Sequence, residues 1–437
     1  MAARVLILLA RRFPFNHGEV AAEVYLESEI VHLSRSFDRI LAFGAEADHS
    51  DAPTCRLPEN VIPIPLGCRV GKAEKARMAI RGIGYTLQAP QQVRDALSSD
   101  RTVNPARMAF RNYIAARAYM KYKRAARAVQ EASLSPTHIY SFWLYDSALA
   151  AVWLQALYPQ AVLFSRAHGY DVYQERNALR YLPFREYLLN RLGHVFPCSE
   201  YGARYIAACW PGCRCTLSVS YLGTGDMPDR SGEPAGHPFS IVSCSRVVSV
   251  KRVHLIADAL ALLDAEGVSV SWTHIGDGPL LEHVANTVKG FVSVKVSLLG
   301  RMRHEDVIAL YGREHFDLFV NVSSSEGVPI SIMEACGTGI PVLTTDVGGT
   351  HEIVADGQNG KLLDGDTNPR EIADAIARFM RLSDERIACM RRASREIWER
   401  NFRVSNNVRR MMDVVMPQGR KDNGATRRDG SHEMEAR

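Results

Sequence analysis

Short apolar runs alternate with helical patterns along nearly the whole chain. In the first half, runs of strand length stand at residues 5–9, 39–43, 138–142, 162–166 and 195–199. Helical segments lie between them, including 19–34 and a long basic stretch from about 105 to 131. The second half repeats the pattern, with strand candidates at 239–243, 269–275, 292–298, 318–321 and 342–344. Helices fill the gaps at 253–266, 280–288, 305–311, 329–337 and 369–382. This alternation predicts an α/β protein whose parallel sheets are covered by helices. Residues 225–238, rich in Gly, Pro and Asp and without apolar periodicity, read as a linker. The expected organisation is a first domain over 1–225, a linker at 226–238 and a second domain over 239–400. A closing helix at 401–418 and a charged, disordered tail at 419–437 follow. Two doubly wound domains facing each other place a ligand cleft between the carboxyl ends of their strands.

Composition sharpens this only in places. A chain of 437 residues is too long for one core and comfortable for two. At 46% hydrophobic and 23% charged it has the balance of a globular protein. No apolar run approaches the roughly 18–20 residues that cross a bilayer. The opening run at 5–10 is short and meets Arg11, Arg12 and Pro14 at once, so it reads as a buried strand rather than an export signal. A cytoplasmic location is the expectation. Nine scattered cysteines do not form a disulfide framework, and the CWPGCRC cluster lacks a second pair at zinc-finger spacing.

The net charge of +5 is unevenly placed. Between residues 69 and 127 basic side chains far outnumber Glu74, Asp95 and Asp100, and aromatic residues are interleaved. One reading is a solvated helical face; the sharper one is a surface that rests on anionic lipid headgroups, attached peripherally to a membrane. No nucleic-acid motif accompanies the patch, so nucleic acid is not an expected partner.

Candidate chemistry gathers at strand ends in the second half. In SCSRVVSVKRVH, Arg246 and Lys251 stand five residues apart across a turn that leads into a helix. Both can point at one diphosphate through charge-assisted hydrogen bonds, although such cations are often mere surface decoration. In HIGDGPL, Gly276, Asp277 and Gly278 end a strand and open a helix. Glycines there allow a tight turn and close approach of backbone to a ligand, but a plain strand-to-helix turn looks the same. LLGR ends in Gly300 and Arg301, with the Gly300 backbone a candidate contact to a base.

The most informative element is SSSEGVPISIME. It leaves a strand through small residues, passes Gly327 and Val328, and enters a helix at Pro329 and Ile330. Such a helix start offers free N–H groups and a positive dipole end to phosphate. Glu326 in the loop can accept bonds from sugar hydroxyls, and Glu334 on the helix from a ribose diol. Two glutamates eight residues apart are common by chance; the loop-to-helix setting is what gives them meaning.

Five segments, SRVVSVKRVHLIADAL, HIGDGPL, LLGR, SSSEGVPISIMEACGTGIPV and VGGTHEIVADGQNGKLL, together resemble the family 4 glycosyltransferases (glycosyl transferases group 1) in their order. The resemblance covers about residues 243–363. It implies the GT-B fold, two Rossmann-like domains facing across a cleft. It further implies Arg246 and Lys251 on the diphosphate of a nucleotide sugar, Glu326 on its sugar and Glu334 on its ribose. In the first half, SRAHGYDV sets His168 beside Gly169 at a strand end, where the resemblance implies a residue near the reacting sugar. FPFNHGEVAAEVYLESEI resembles the opening of polysaccharide- and lipopolysaccharide-type members. Many relatives carry paired glycines in that loop, whereas this chain has Gly18 alone. Trp143 in IYSFWLYD and the segment WERNF look like the same subgroup, the latter like a closing helix that returns to the first domain.

The expected reaction is sugar transfer from a UDP- or GDP-sugar to a saccharide acceptor, lipid-linked or soluble, in envelope or exopolysaccharide assembly. Retention of configuration is expected, with Arg246 and Lys251 stabilising the departing diphosphate and His168 and Glu326 placing the sugar. A double displacement through a protein carboxylate stays open. No Asp-x-Asp cluster stands at a strand end, so neither a catalytic metal nor any cofactor beyond the nucleotide sugar is expected. The rival readings are a nucleotide-sugar epimerase, a phosphorylase and an inert nucleotide-sugar-binding scaffold. A dinucleotide oxidoreductase is disfavoured, because the loop after residues 5–9 has no G-x-G-x-x-G.

Overall fold

The apolar runs become two parallel sheets in a computed structural model that describes residues 3–15, 23–87, 90–177, 179–233 and 238–416. The first sheet is built from β1 (Val5–Ala10), β2 (Arg39–Gly44), β3 (Val61–Pro65), β4 (His138–Ser141), β5 (Val162–Ala167), β6 (His194–Pro197) and β7 (Thr216–Leu217). Its order is β3-β2-β1-β4-β5-β6-β7. The second sheet comprises β8 (Phe239–Cys244), β9 (Val270–Ile275), β10 (Val294–Leu298), β11 (Leu318–Asn321), β12 (Val342–Thr345) and β13 (Gly360–Leu363), ordered β10-β9-β8-β11-β12-β13. In each sheet the first strand has neighbours that lead away in opposite directions, β2 and β4 beside β1, β9 and β11 beside β8. Connections from such a switch point diverge to opposite faces and leave a crevice at the carboxyl ends of the strands. The strands absent from the sequence reading, β3, β7 and β13, are all at or next to a sheet edge. VIPIP carries two prolines, which an edge strand tolerates and a central one does not.

The chain passes between the domains twice, and the two passes are bonded to each other. Thr224 N–H donates to Phe402 O at 2.9 Å, and Val404 N–H donates to Thr224 O at 3.0 Å. A Cβ on Gly223 would stand 2.8 Å from Phe402 O, so only glycine lets the backbones meet this closely. Trp398, fully buried, donates its Nε1–H to Thr224 Oγ1 at 2.7 Å. Beyond the crossing, helix Val404–Val415 sets Val404, Val408, Met411 and Met412 into the first-domain core beside Leu6, Leu8 and Ile30. The stretch from 226 to 233, the first part of the expected linker, lies along the second domain. Met227 enters that core, and the buried Arg391 donates to Arg230 O. Residues 234–237, and the whole of the tail at 419–437, lie outside the described residues.

The basic stretch also needs correcting as a single lipid-facing surface. In helix Pro105–Glu131, Lys121 is only 1% exposed and donates to Asp146 at 3.0 Å and Ser147 at 2.9 Å. Arg117 bridges Asp146 at 3.0 Å and Glu46 at 2.7 Å, and Arg124 donates to Leu66 O. Charge counted along a sequence does not say which face of a helix carries it. Exposed cations remain on helix Lys72–Leu87, at Lys72, Lys75 and Arg77, beside an Ile80 that is 78% exposed. No helix among the described residues is long and apolar enough to cross a membrane.

Burial works to raise the Asp146 carboxyl, but Arg117 and Lys121 outweigh it and hold the group below its usual range. A depressed carboxylate contributes stability above its unfolded pKa of about 4 and loses it as pH falls through the folded value. Asp146→Ala should therefore destabilise the first domain by about 3–5 kcal/mol, because the buried Lys121 loses its carboxylate and Arg117 keeps only Glu46. Adding Lys121→Met should recover much of that loss. Urea unfolding at neutral pH checks both, and an unchanged midpoint for the single variant would contradict the assignment.

Candidate active site

The first wall of the cleft is built around His168, where β5 ends. Its ring packs between Phe142 and Trp143, with centroids 4.6 and 4.5 Å away. The buried Asp171 fixes the backbone on either side: Oδ1 accepts from His168 N–H at 2.5 Å and Oδ2 from Leu144 N–H at 2.7 Å. One carboxylate thus ties the ends of β4 and β5 together. The imidazole itself is buried, yet among the described residues neither ring nitrogen has a hydrogen-bond partner. The Asp171 carboxylate stays 3.8 Å from Nδ1. A buried, unpaired polar group costs on the order of 1–3 kcal/mol. Here it faces a cavity that Glu326, Gly327 and Val328 close from the second domain.

The second wall rises from the loop after β11. Asn321 Oδ1 accepts from Ser323 N–H and Oγ–H at 3.0 and 2.7 Å, which bends the chain, while its Nδ2 donates to Glu326 at 3.2 Å. Lys251 Nζ lies 2.6 and 2.8 Å from the two Glu326 oxygens. The sequence candidates Lys251 and Glu326 are therefore partners, and His168 lines the same cavity as Glu326. Arg246 is exposed and, among the described residues, has no carboxylate at ion-pair distance. Pro329 caps helix Ile330–Thr338, and Glu334, buried on that helix, bonds His304 Nε2 at 2.6 Å. Gly18 lies outside the described residues.

The glycines of HIGDGPL have a nearer task than ligand approach. A Cβ on Gly276 would overlap Ser245 O, and one on Gly278 would overlap Val247 O. Their absence lets two loops lie together, with Val247 N–H donating to Asp277 O at 3.0 Å. Arg246 sits between those contacts and is positioned by them. Gly300 adopts φ +66° and accepts from Gly276 N–H at 2.8 Å, and Arg301 follows it exposed. Gly348 and Gly349 act similarly on the glutamate loop: Gly349 N–H donates to Gly327 O at 2.7 Å.

Four residues at the cleft escaped the sequence reading. Glu23 is fully buried, and its Oε1 accepts from Arg11 N–H at 2.7 Å and Trp143 Nε1–H at 2.6 Å. Its Oε2 accepts from Arg12 and Phe13 N–H, both at 2.7 Å. This carboxylate gathers the loop after β1 and holds Trp143 against His168. Tyr25 has its phenol pushed up to about 12 by burial, with the negative charges of Cys198, Glu334 and Glu326 adding to the shift. Glu352, from the second domain, accepts from Glu200 N–H at 2.8 Å and Tyr201 N–H at 3.1 Å. It caps helix Glu200–Cys209 of the first domain. His304 is the fourth. None carries a periodic or glycine signal, since each acts through a contact distant in sequence.

Two facing doubly wound domains with this arrangement define the GT-B architecture. Residues 229–396, most of the second domain, match the family model for glycosyl transferases group 1. Among curated proteins the chain is similar to the putative colanic acid biosynthesis glycosyltransferase WcaL of Escherichia coli, 27% identical over 244 residues. That alignment covers 54% of this chain and 59% of the relative's length. It is also similar to a GDP-mannose-dependent alpha-(1-6)-phosphatidylinositol monomannoside mannosyltransferase of Mycobacterium tuberculosis, 26% identical over 61% of this chain and 76% of that protein. Among solved structures, HepE of Anabaena in complex with UDP and glucose superposes with a TM-score of 0.59 at 17% identity. The match covers 94% of this chain and 99% of that one. A likeness at that identity bears on the fold alone.

The hydrogen bond to Glu334 raises the His304 imidazole above its ordinary value, against the opposing effect of burial. A raised group contributes stability fully below its unfolded pKa of about 6.5 and loses it as pH rises through the folded value. His304→Gln should therefore lower the thermal midpoint more at pH 6 than at pH 9. An equal loss at both values would show that the pair does not titrate.

Proposed function

We propose that the protein transfers a sugar from a UDP- or GDP-sugar to a saccharide acceptor with retention of configuration. The observation that carries this reading is an unsatisfied, buried imidazole from one domain sharing a cavity with the glutamate of a Lys–Glu pair from the other. In this mechanism the donor sugar takes over the Glu326 oxygens through its hydroxyls. Lys251 is released toward the diphosphate, beside Arg246. His168 hydrogen-bonds a sugar hydroxyl and positions the ring. The acceptor hydroxyl bonds to the anomeric carbon on the face from which the phosphate oxygen departs. That phosphate oxygen takes the acceptor's proton, so the protein need supply no base. Glu334 accepts from the ribose diol once His304 gives way. Two cations at the leaving group supply the positive charge that a metal supplies elsewhere, and no step calls for one.

The family match of the second domain supports glycosyl transfer. The GDP-mannose named for one relative supports a nucleotide sugar as donor. The colanic acid pathway of WcaL and the phosphatidylinositol mannoside of the mycobacterial relative support an envelope saccharide, lipid-linked, as acceptor. With such an acceptor the cytoplasmic membrane face is the working location. The exposed face of helix Lys72–Leu87 is then the contact to anionic headgroups.

Lys251→Ala should lower kcat for donor turnover by about 10²-fold or more. A panel of UDP- and GDP-sugars measures this, and near-normal turnover in the variant would refute the diphosphate role. NMR of the product settles the stereochemistry, with an inverted linkage sinking retention. Donor epimerisation or phosphorolysis without acceptor would favour the rival enzymes instead. For the membrane face, wild-type protein should sediment with anionic vesicles at low salt, and Lys72→Glu with Lys75→Glu should abolish this. Absence of wild-type binding would remove the proposal.

A further inference from the structure

The cation beside the reaction centre that the mechanism leaves unused is Arg176. It ends the short turn Gln174–Arg176 that follows the His168 loop, and it lines the same cavity as His168 and Glu326. Its guanidinium stacks on the Tyr173 ring, 4.8 Å from the centroid. It also lies directly over Gly169, where a Cβ would overlap Nη1. The glycine after His168 thus makes room for a cation rather than for a turn.

That cation carries uncompensated charge. Among the described residues no carboxylate stands at ion-pair distance from it. The surrounding acids are already engaged. Glu175 accepts from Tyr205 Oη–H at 2.9 Å, Glu326 is held by Lys251, Glu352 caps a helix, and Asp171 accepts two backbone amides. Around it stand aromatic faces. Tyr201 is 50% exposed, with its ring centroid 5.5 Å from that of Tyr173, and both line the same cavity. Sugar rings present C–H faces that pack on aromatic rings, and a stacked guanidinium is pre-organised for two-pronged recognition of an oxyanion.

We propose that Arg176, with Tyr173 and Tyr201, forms an acceptor subsite for a saccharide that carries an anionic group. A uronic carboxylate and a phosphate ester share the required chemistry. The donor phosphates are assigned cations of their own in Arg246 and Lys251, which leaves Arg176 for the other substrate. This inference rests on the cleft being the site of glycosyl transfer.

The test measures binding of methyl glucuronide, glucose 6-phosphate and methyl glucoside to wild type and Arg176→Gln by ligand-observed NMR, with UDP and GDP binding measured in parallel. Wild type should prefer the two anionic probes, and Arg176→Gln should weaken them by about tenfold or more. The neutral glucoside and the nucleotides should bind the variant as before. The stronger of the two anionic probes identifies the group as carboxylate or phosphate. Equal binding of anionic and neutral probes to wild type would overturn the proposal. So would a variant that loses nucleotide binding instead, which would make Arg176 a donor contact. Failure of wild type to bind either nucleotide would overturn the cleft reading itself, a distinct result. Because Arg176 is exposed, the variant should keep the wild-type circular dichroism and melting temperature.

Discussion

A carboxylate of one domain completes a helix of the other, and the geometry of the cleft follows from that contact. The first N–H groups of helix Glu200–Cys209 have no partner within their own helix. Glu352, from the loop after β12, accepts from two of them. The same loop carries Gly348 and Gly349, which press on the backbone of Glu326 and Gly327. One short segment therefore sets the spacing between domains and the position of the glutamate that faces His168. At the far end, the paired passes at Thr224 and Val404 fix the hinge side. The cleft is held at one edge by a carboxylate on two backbone N–H groups and at the other by backbone-to-backbone hydrogen bonds.

The interior of each sheet was legible because burial on both faces writes itself into consecutive apolar residues, as in VLILLA, all six of them buried. Edges were not, since VIPIP and GKLL are half-exposed and lack that signature. Order along the chain was enough to bring Lys251, Glu326 and Glu334 forward as candidates, through a resemblance in five segments. It could not say that Lys251 would sit on Glu326 while Glu334 sat under His304. Glu23 was invisible for a related reason. Its four bonds reach the loop after β1 and an indole 120 residues away, and nothing local marks it. Charge was the most misleading signal. Lys121 and Arg117 looked like part of a basic surface and are instead neutralised inside the first domain by Asp146 and Glu46.

The two walls of the cleft differ in electrostatic state. On the second domain, Lys251 and Glu326 satisfy one another, and Glu334 is satisfied by His304. A ligand must exchange these partners rather than fill an empty site, so its hydroxyls and phosphates have to match both halves of each pair. Replacing a carboxylate's cation by a neutral hydroxyl leaves the cation seeking an anion, and a diphosphate supplies it. A neutral sugar alone would break the pair without compensating Lys251, and a nucleotide alone would leave Glu326 unpartnered. The arrangement therefore favours a molecule carrying both groups over either part.

On the first domain the logic is reversed. Among the described residues His168 has no partner to surrender, and its imidazole is already buried against Phe142 and Trp143 beside the Asp171 clamp. A hydrogen bond that satisfies such a group relieves a standing penalty. Glu23 matters for this reason, because it holds Trp143 packed against the imidazole. A sugar hydroxyl reaching His168 would gain most when the ring is closed between both walls. In the proposed mechanism, binding energy would then be concentrated at the geometry in which the anomeric carbon faces the acceptor side, where selective stabilisation accelerates a reaction rather than merely retaining a ligand.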